Sequence, residues 1–166
     1  GRFRGLSIDA GFAYNHSRLG AISAIAAYQL PAGQLPPQCA PGPAMGCFDY
    51  ATYLVDLAGE ANPYSPRYTI NLSASYDIAL AGGILKPRVG FSYVSSQYAS
   101  IFQNTDYFLI PSHHQFDGSL TYQAGQWEVE LFGRNLGNSA YITGLVNATA
   151  FYAAPRTYGV RIARHF

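Results

Sequence analysis

The sequence predicts an all-β fold, an antiparallel transmembrane β-barrel segment built as six meander strands. Three observations carry this expectation. Six stretches alternate apolar and polar residues with a period of two, the pattern of a strand with one oily face. Their connections run long, short, long, short, long, as in barrels with long external loops and tight internal turns. Finally, charged residues make up only 11% of the 166 residues while aromatics reach 15%, with 14 Tyr and 10 Phe, against about 25% charge in an ordinary soluble domain. A chain with so few charges is poorly equipped to cover a water-facing surface.

Taken in order, the first strand spans Leu6 to Asn15, with Leu6, Ile8, Ala10, Phe12 and Tyr14 on one face and Ser7, Asp9, Gly11, Ala13 and Asn15 on the other. A loop rich in Pro, Gly and Ala follows from His16 to Pro66, with a short helical turn expected within Gly20 to Leu30. The second strand spans Arg67 to Ile78 and sets Tyr68, Ile70, Leu72, Ala74, Tyr76 and Ile78 against Thr69, Asn71, Ser73, Ser75 and Asp77. A tight Ala81-Gly82-Gly83 turn leads to the third, where Leu85, Val89, Phe91 and Tyr93 oppose Lys86, Arg88, Gly90 and Ser92. Pro87 on its oily face is tolerable near a strand end.

A second loop, Gln97 to Ser112, precedes a fourth strand in which Phe116, Leu120 and Tyr122 oppose Gln115, Asp117, Ser119 and Thr121. Ala124-Gly125-Gln126 turns into a fifth strand, Trp127 to Leu136, and a third loop leads to the closing strand, Pro155 to Phe166. With the end of the closing strand on the periplasmic side, Tyr76, Tyr122, Trp127 and Phe166 fall at one lipid boundary and Tyr14, Tyr68, Tyr93 and Tyr158 at the other. Two aromatic girdles on the lipid face are a mark of outer-membrane barrels. A soluble β-sandwich also alternates with period two and does not account for the girdles. The net charge of +1 excludes the basic footprint of a nucleic-acid binder, and no apolar run reaches the ~18 residues of a membrane-spanning helix.

The stretch W-E-V-E-L-F-G-R-N-L-G-N-S-A-Y, from Trp127 to Tyr141, followed by P-R-T-Y-G-V-R-I-A-R-H-F, from Pro155 to Phe166, resembles the end of TonB-dependent outer-membrane receptors. The resemblance implies that residues 1–166 form the carboxy-terminal portion of a 22-stranded barrel, its last six strands. Neither the plug domain nor the TonB-contacting segment, the TonB box, is then among these residues. The start at Gly1, with Met45 as the sole methionine, fits a piece of a longer chain. The implied function is TonB-energised uptake of a bulky nutrient of the siderophore, cobalamin or oligosaccharide class. The rival classes are a passive porin-like channel and an outer-membrane hydrolase. The implied partners are the TonB complex, reached through the plug, the barrel-assembly machinery, the lipid bilayer with its lipopolysaccharide, and the small-molecule nutrient. No cofactor is implied, and Phe166 is the expected assembly signal.

Several residue groups carry possible chemistry. Cys39 and Cys47 enclose a short Pro- and Gly-rich segment, and an exported pair at that spacing is expected to form a disulfide that stabilises the loop by about 2–3 kcal/mol. Metal binding needs further ligands nearby, and none is expected. Glu128 and Glu130 share one side of a strand about 7 Å apart, a spacing compatible with an inverting glycosidase. With Asp117, Arg134 and Arg161 on adjacent positions, lumenal ion pairs are the expectation. Ser112, His113, His114 and Asp106 gather at the outer rim, where a nucleophile arrangement is conceivable, but two adjacent His residues point to opposite faces of a strand. The expectation is therefore no enzyme. The loop aromatics Tyr98, Phe102, Tyr107, Phe108, Tyr141, Phe151 and Tyr152 are candidates to face a ligand, because rings stack on planar molecules and lose little entropy on ordering, with packing of one loop on another as the equal alternative.

Overall fold

A computed structural model describes residues 5–31, 47, 49–146 and 149–166. Six long strands follow one another in the sheet in the order of the sequence: β1 (Leu6–Tyr14), β2 (Tyr68–Tyr76), β3 (Gly83–Val94), β4 (His113–Ala124), β5 (Trp127–Arg134) and β6 (Thr157–Arg164). All pairings between them are antiparallel. A seventh, short strand, Ile78–Leu80, pairs with the start of β3. The expected second strand thus breaks at Asp77, whose N–H donates to the Gly5 carbonyl at 2.9 Å and whose carboxylate meets Lys86 Nζ at 3.1 Å. The hairpin beyond it turns at Ala81 and Gly82, with φ of 48° and 78°, the left-handed pair that matches strand twist. Alanine is costly in that region, and the Tyr122 hydroxyl lies 3.3 and 3.2 Å from the Leu80 and Ala81 carbonyl oxygens, which helps to fix the turn.

The short helical turn expected within Gly20 to Leu30 is present, but it is confined to the end of that stretch. Ser23–Ile25 is extended and pairs with Leu54–Asp56, and only Ala27–Gln29 forms a 3-10 turn. Ser, Ala and Ile in that run suit a strand as well as a helix, and a tertiary partner decides between them. The fifth strand ends at Arg134 rather than Leu136 because Asn135 turns out of it with φ of 50°. The expected Cys39–Cys47 disulfide involves Cys39, which lies outside the described residues.

Register assigns each strand two faces. Ile8, Ala74 and Val89 stand in one cross-strand row and Leu120, Leu131 and Val160 in another. The apolar face stays uncovered: Ile8 is 67% exposed, Phe12 68%, Val89 62% and Ile162 65%. A β-sandwich would bury such a face under a second sheet, and none packs on it among the described residues. The buried apolar side chains Ala26, Leu57 and Ile110 belong instead to the loop layer at one end of the sheet. A contiguous exposed apolar surface of this kind marks a lipid or partner contact.

Close packing of aromatics on glycine stiffens the wall. Phe132 faces Gly159 across the β5–β6 pair, and a Cβ built on Gly159 would collide with the Phe132 ring. The Arg161 guanidinium lies over the other part of this arrangement, 5.7 Å from the ring centre. Gly159→Val in the native chain is expected to lower stability by about 1–3 kcal/mol, the usual cost of overpacking. Urea titration of the heat-modifiable folded band measures it, and a midpoint equal to wild type would refute the packing argument.

Candidate functional site

The polar face and the loop layer above it form one continuous region. On the polar face, Asp9 and Ser73 oppose each other, and the Ser73 hydroxyl donates to Asp9 Oδ2 at 3.1 Å while accepting from Arg88 at 3.3 Å. Glu130 opposes Arg161 and accepts from its guanidinium at 2.7 Å. Glu128 sits 3.7 Å from His165 Nε2. Arg134 and Arg88 line a groove of 280 Å³ together with Asp117, Glu130, Phe132 and Arg161. An exposed ion pair is worth at most about 1 kcal/mol, so the pairs orient side chains more than they stabilise the sheet. Glu130 is thus engaged by the Arg161 guanidinium and Glu128 lies beside the His165 ring, both on the polar face.

Asp117 forms no ion pair with Arg134. Its carboxylate accepts from Gln115 Nε2 at 2.8 and 3.0 Å and from the Asn135 backbone N–H at 2.8 Å. Asn135 is 2% exposed, and both polar atoms of its side chain are hydrogen-bonded. Nδ2 donates to the carbonyls of Ser139 at 3.0 Å and Ala154 at 3.1 Å, and Oδ1 accepts from Ser139 N–H at 2.9 Å. Asn138 Oδ1 takes the Arg156 N–H at 3.1 Å. These two Asn side chains join the exit of β5 to the entry of β6 and so set the base of the third loop, residues 135–156. Leu136 leaves the strand and folds onto the apolar face, over Gly118 and Gly133. The Asn-Leu-Gly-Asn run signals a turn, but no sequence pattern identifies Asp117 as its acceptor.

The loops pack on one another. Phe102, Tyr107 and Phe108 of the second loop surround Tyr28 of the first, with ring centres at 5.6, 5.9 and 5.6 Å. Tyr64 joins all three loops: its N–H donates to the Tyr98 carbonyl at 2.8 Å, and its hydroxyl bonds both the carbonyl and the N–H of Leu145 at 2.8 and 3.2 Å. Leu145 lies in a hairpin, Ile142–Val146 with Thr149–Tyr152, that leaves Phe151 and Tyr152 exposed. Tyr98 lines a cleft between the first two loops. Of the expected ligand-facing aromatics, Phe102 and Tyr107 are thus partly occupied with loop packing, whereas Phe151 and Tyr152 are presented to solvent. Tyr28 and Tyr64 escaped sequence reasoning, since their roles depend on partners in other loops.

The rim residues are not assembled for nucleophilic catalysis. His113 stacks on Tyr141 with ring centres 4.1 Å apart, while His114 turns to the other face beside Phe91 and Phe116. Asp106 lies in a short helix, Thr105–Phe108, capped by Asn104. No hydrogen bond joins Ser112, either His and Asp106 among the described residues, and no cluster there of three or more His, Cys, Asp or Glu could hold a metal. At the opposite end, the Arg164 guanidinium lies over Trp127 at 5.4 Å and over the fully exposed Phe166 at 5.1 Å.

A six-strand meander with one uncovered apolar face, one ion-paired polar face and long interlocked loops at one end has the architecture of a receptor-barrel wall. Its fold is that of part of a TonB-dependent receptor. The siderophore receptor PiuA from Acinetobacter baumannii aligns over 97% of this chain and 19% of its own, with a TM-score of 0.65 at 20% identity. The ferric yersiniabactin uptake receptor FyuA from Yersinia pestis aligns over 63% and 17%, with a TM-score of 0.56 at 25% identity. The ferric preacinetobactin receptor BauA from Acinetobacter baumannii aligns over 65% and 16%, with the same score and identity. The chain therefore spans less than a fifth of each of these proteins, and all three are receptors rather than enzymes. No family model matches the sequence, and no curated protein does.

Asn135→Ala in the native chain is expected to cost about 3 kcal/mol, because it leaves buried polar groups unpaired and forces alanine into a left-handed backbone. Asn135→Gly, which relieves the backbone, should recover part of the loss. Equal stability of wild type and Asn135→Ala in urea titration would refute the tie.

Proposed function

We propose that this chain is the carboxy-terminal portion of a TonB-dependent outer-membrane receptor and supplies the last six strands of its barrel, three external loops and an assembly signal. The observation that carries the reading is the uncovered apolar face with aromatics at both ends, set against the ion-paired polar face. Lipid outside and a filled lumen inside explain both at once. The plug and the TonB-contacting segment lie outside these residues, and energy for uptake reaches the ligand through them. Among the nutrient classes compatible with the exposed loop aromatics, a ferric siderophore is favoured, because the matched structures are siderophore receptors. A disulfide between Cys39 and Cys47 in the first loop belongs to this reading, on the ground of their close spacing in an exported chain.

The test is the size of the native polypeptide, blotted from source outer membranes, boiled and unboiled, with an antibody to residues 127–166. A heat-modifiable band several times larger than 18.0 kDa is expected for a complete barrel with room for a plug. A band near 18.0 kDa that does not shift on boiling would withdraw the transport reading.

Phe166 and the strand it follows are proposed to be read by the barrel-assembly machinery. Deleting Phe166 is expected to lower the amount of folded, heat-modifiable protein without changing its thermal midpoint. Normal accumulation of the deletion variant would remove the assembly role.

A further inference from the structure

At the loop end of the polar face, β1 and β2 continue their register one step beyond the strands. The Asn15 N–H donates to the Arg67 carbonyl at 3.0 Å, which places both side chains on the face that carries Asp9 and Asn71. They border a cleft of 140 Å³ between the first and second loops. Two arginines, Arg18 and Arg67, line it, and no carboxylate does. Arg18 is held by the Gly59 carbonyl at 2.7 Å and by His16 Nε2 at 3.3 Å. The Arg67 guanidinium has no hydrogen-bond or ion-pair partner among the described residues. Ser96 continues the β2–β3 register beside Arg67 and lines the cleft with Gln97, whose Oε1 is buried without a partner among the described residues. An amide flip about the last side-chain torsion turns that position into a donor.

The frame of the cleft is fixed before any ligand arrives. Arg18 and Ala61 form a bridge, the Gln103 amide reaches the Ala61 carbonyl at 3.5 Å, Asn62 bonds Ser17, and the Ser95 hydroxyl accepts the Tyr68 N–H at 3.0 Å. A pre-set, donor-rich pocket with an uncompensated guanidinium favours an oxyanion, since charge-assisted hydrogen bonds to carboxylate or phosphate are the strong ones and Arg supplies them in a planar fork.

We propose that this cleft seats one oxyanion group, carboxylate or phosphate, of a ligand entering from the loop end. The proposal rests on the receptor reading and narrows it: the imported molecule carries a negative group that Arg67 takes up beside Asn15, Ser96 and Gln97. The cleft opens on the polar face, so the group comes from the ligand and not from a lipid headgroup.

The experiment uses the purified full-length receptor in detergent at constant ionic strength. Phenylglyoxal modification of Arg67 is followed by peptide mass spectrometry, with Arg156 as the internal control, and inorganic phosphate, acetate or neutral glucose is added as the probe. Near saturation, phosphate or acetate is expected to slow Arg67 modification roughly fivefold by simple occupancy and to leave Arg156 unchanged. The double variant Asn15→Ala, Ser96→Ala retains Arg67 and is expected to lose most of that protection. Three results would each overturn the proposal: no protection, equal protection by glucose or at Arg156, or full protection in the double variant. The size and heat-modifiability of the native barrel are read separately, so failure here leaves the receptor reading standing.

Discussion

Asn135 turns the chain out of β5 with a left-handed backbone, and in that position it meets Asp117 of β4, Ser139 of the third loop and Ala154 just before β6. A buried amide is costly unless every donor and acceptor is used, and here each one is used. The consequence is geometric. With the neck of the third loop closed at its base, β6 must return beside β5 in the register that sets Glu130 opposite Arg161 and Phe132 opposite Gly159. The polar pairs of the closing hairpin follow from the tie and do not create it, because exposed ion pairs are too weak to fix register. Leu136 completes the arrangement by covering Gly118 and Gly133 on the apolar side, so one five-residue turn is fastened on both faces of the wall.

The two faces place opposite demands on the same strands. On the apolar face, side chains that would destabilise a soluble protein by contact with water are displayed in cross-strand rows, and Arg164 is accommodated over Trp127 and Phe166, where a long cation can reach a headgroup. On the polar face, small residues and glycines alternate with charges, which leaves open space above the strands. The described residues accordingly bury their few fully enclosed apolar side chains in the loop layer. An open sheet of this kind gains little from burial within itself and depends on its surroundings for the hydrophobic stabilisation that a soluble domain supplies internally.

The wall was legible in the sequence because a period of two is fixed by backbone geometry alone. All six long strands, the facing of Glu128, Glu130 and Arg161, and the separation of His113 from His114 follow from alternation. Strand ends were less legible, because they depend on partners: Asp77 breaks β2 through Gly5 and Lys86, and Asn135 ends β5 through Asp117. The loops were least legible. Ser23–Ile25 becomes a strand only because Leu54–Asp56 returns beside it, and Tyr28 gathers Phe102, Tyr107 and Phe108 from residues more than seventy positions away. Sequence composition marks those aromatics as ligand candidates, yet it carries no information about which of them other loops already occupy.

This division also bears on where recognition sits. Wall residues are held in ladders, and their side chains are displayed on the uncovered apolar face or engaged with neighbouring strands on the polar one. Loop residues are held by a few specific bonds, above all those of Tyr64, which links the first loop to Tyr98 of the second and Leu145 of the third. Tyr64 adopts a φ of 52°, a conformation disfavoured for a bulky side chain, and its backbone bond to Tyr98 together with the two hydroxyl bonds to Leu145 offsets that cost. Interlocked loops resist independent motion, so the cleft beside Arg67 and the exposed rings of Phe151 and Tyr152 belong to one connected layer. A displacement at any part of that layer is carried to all three loops, and the sheet beneath serves as the fixed frame against which they are ordered.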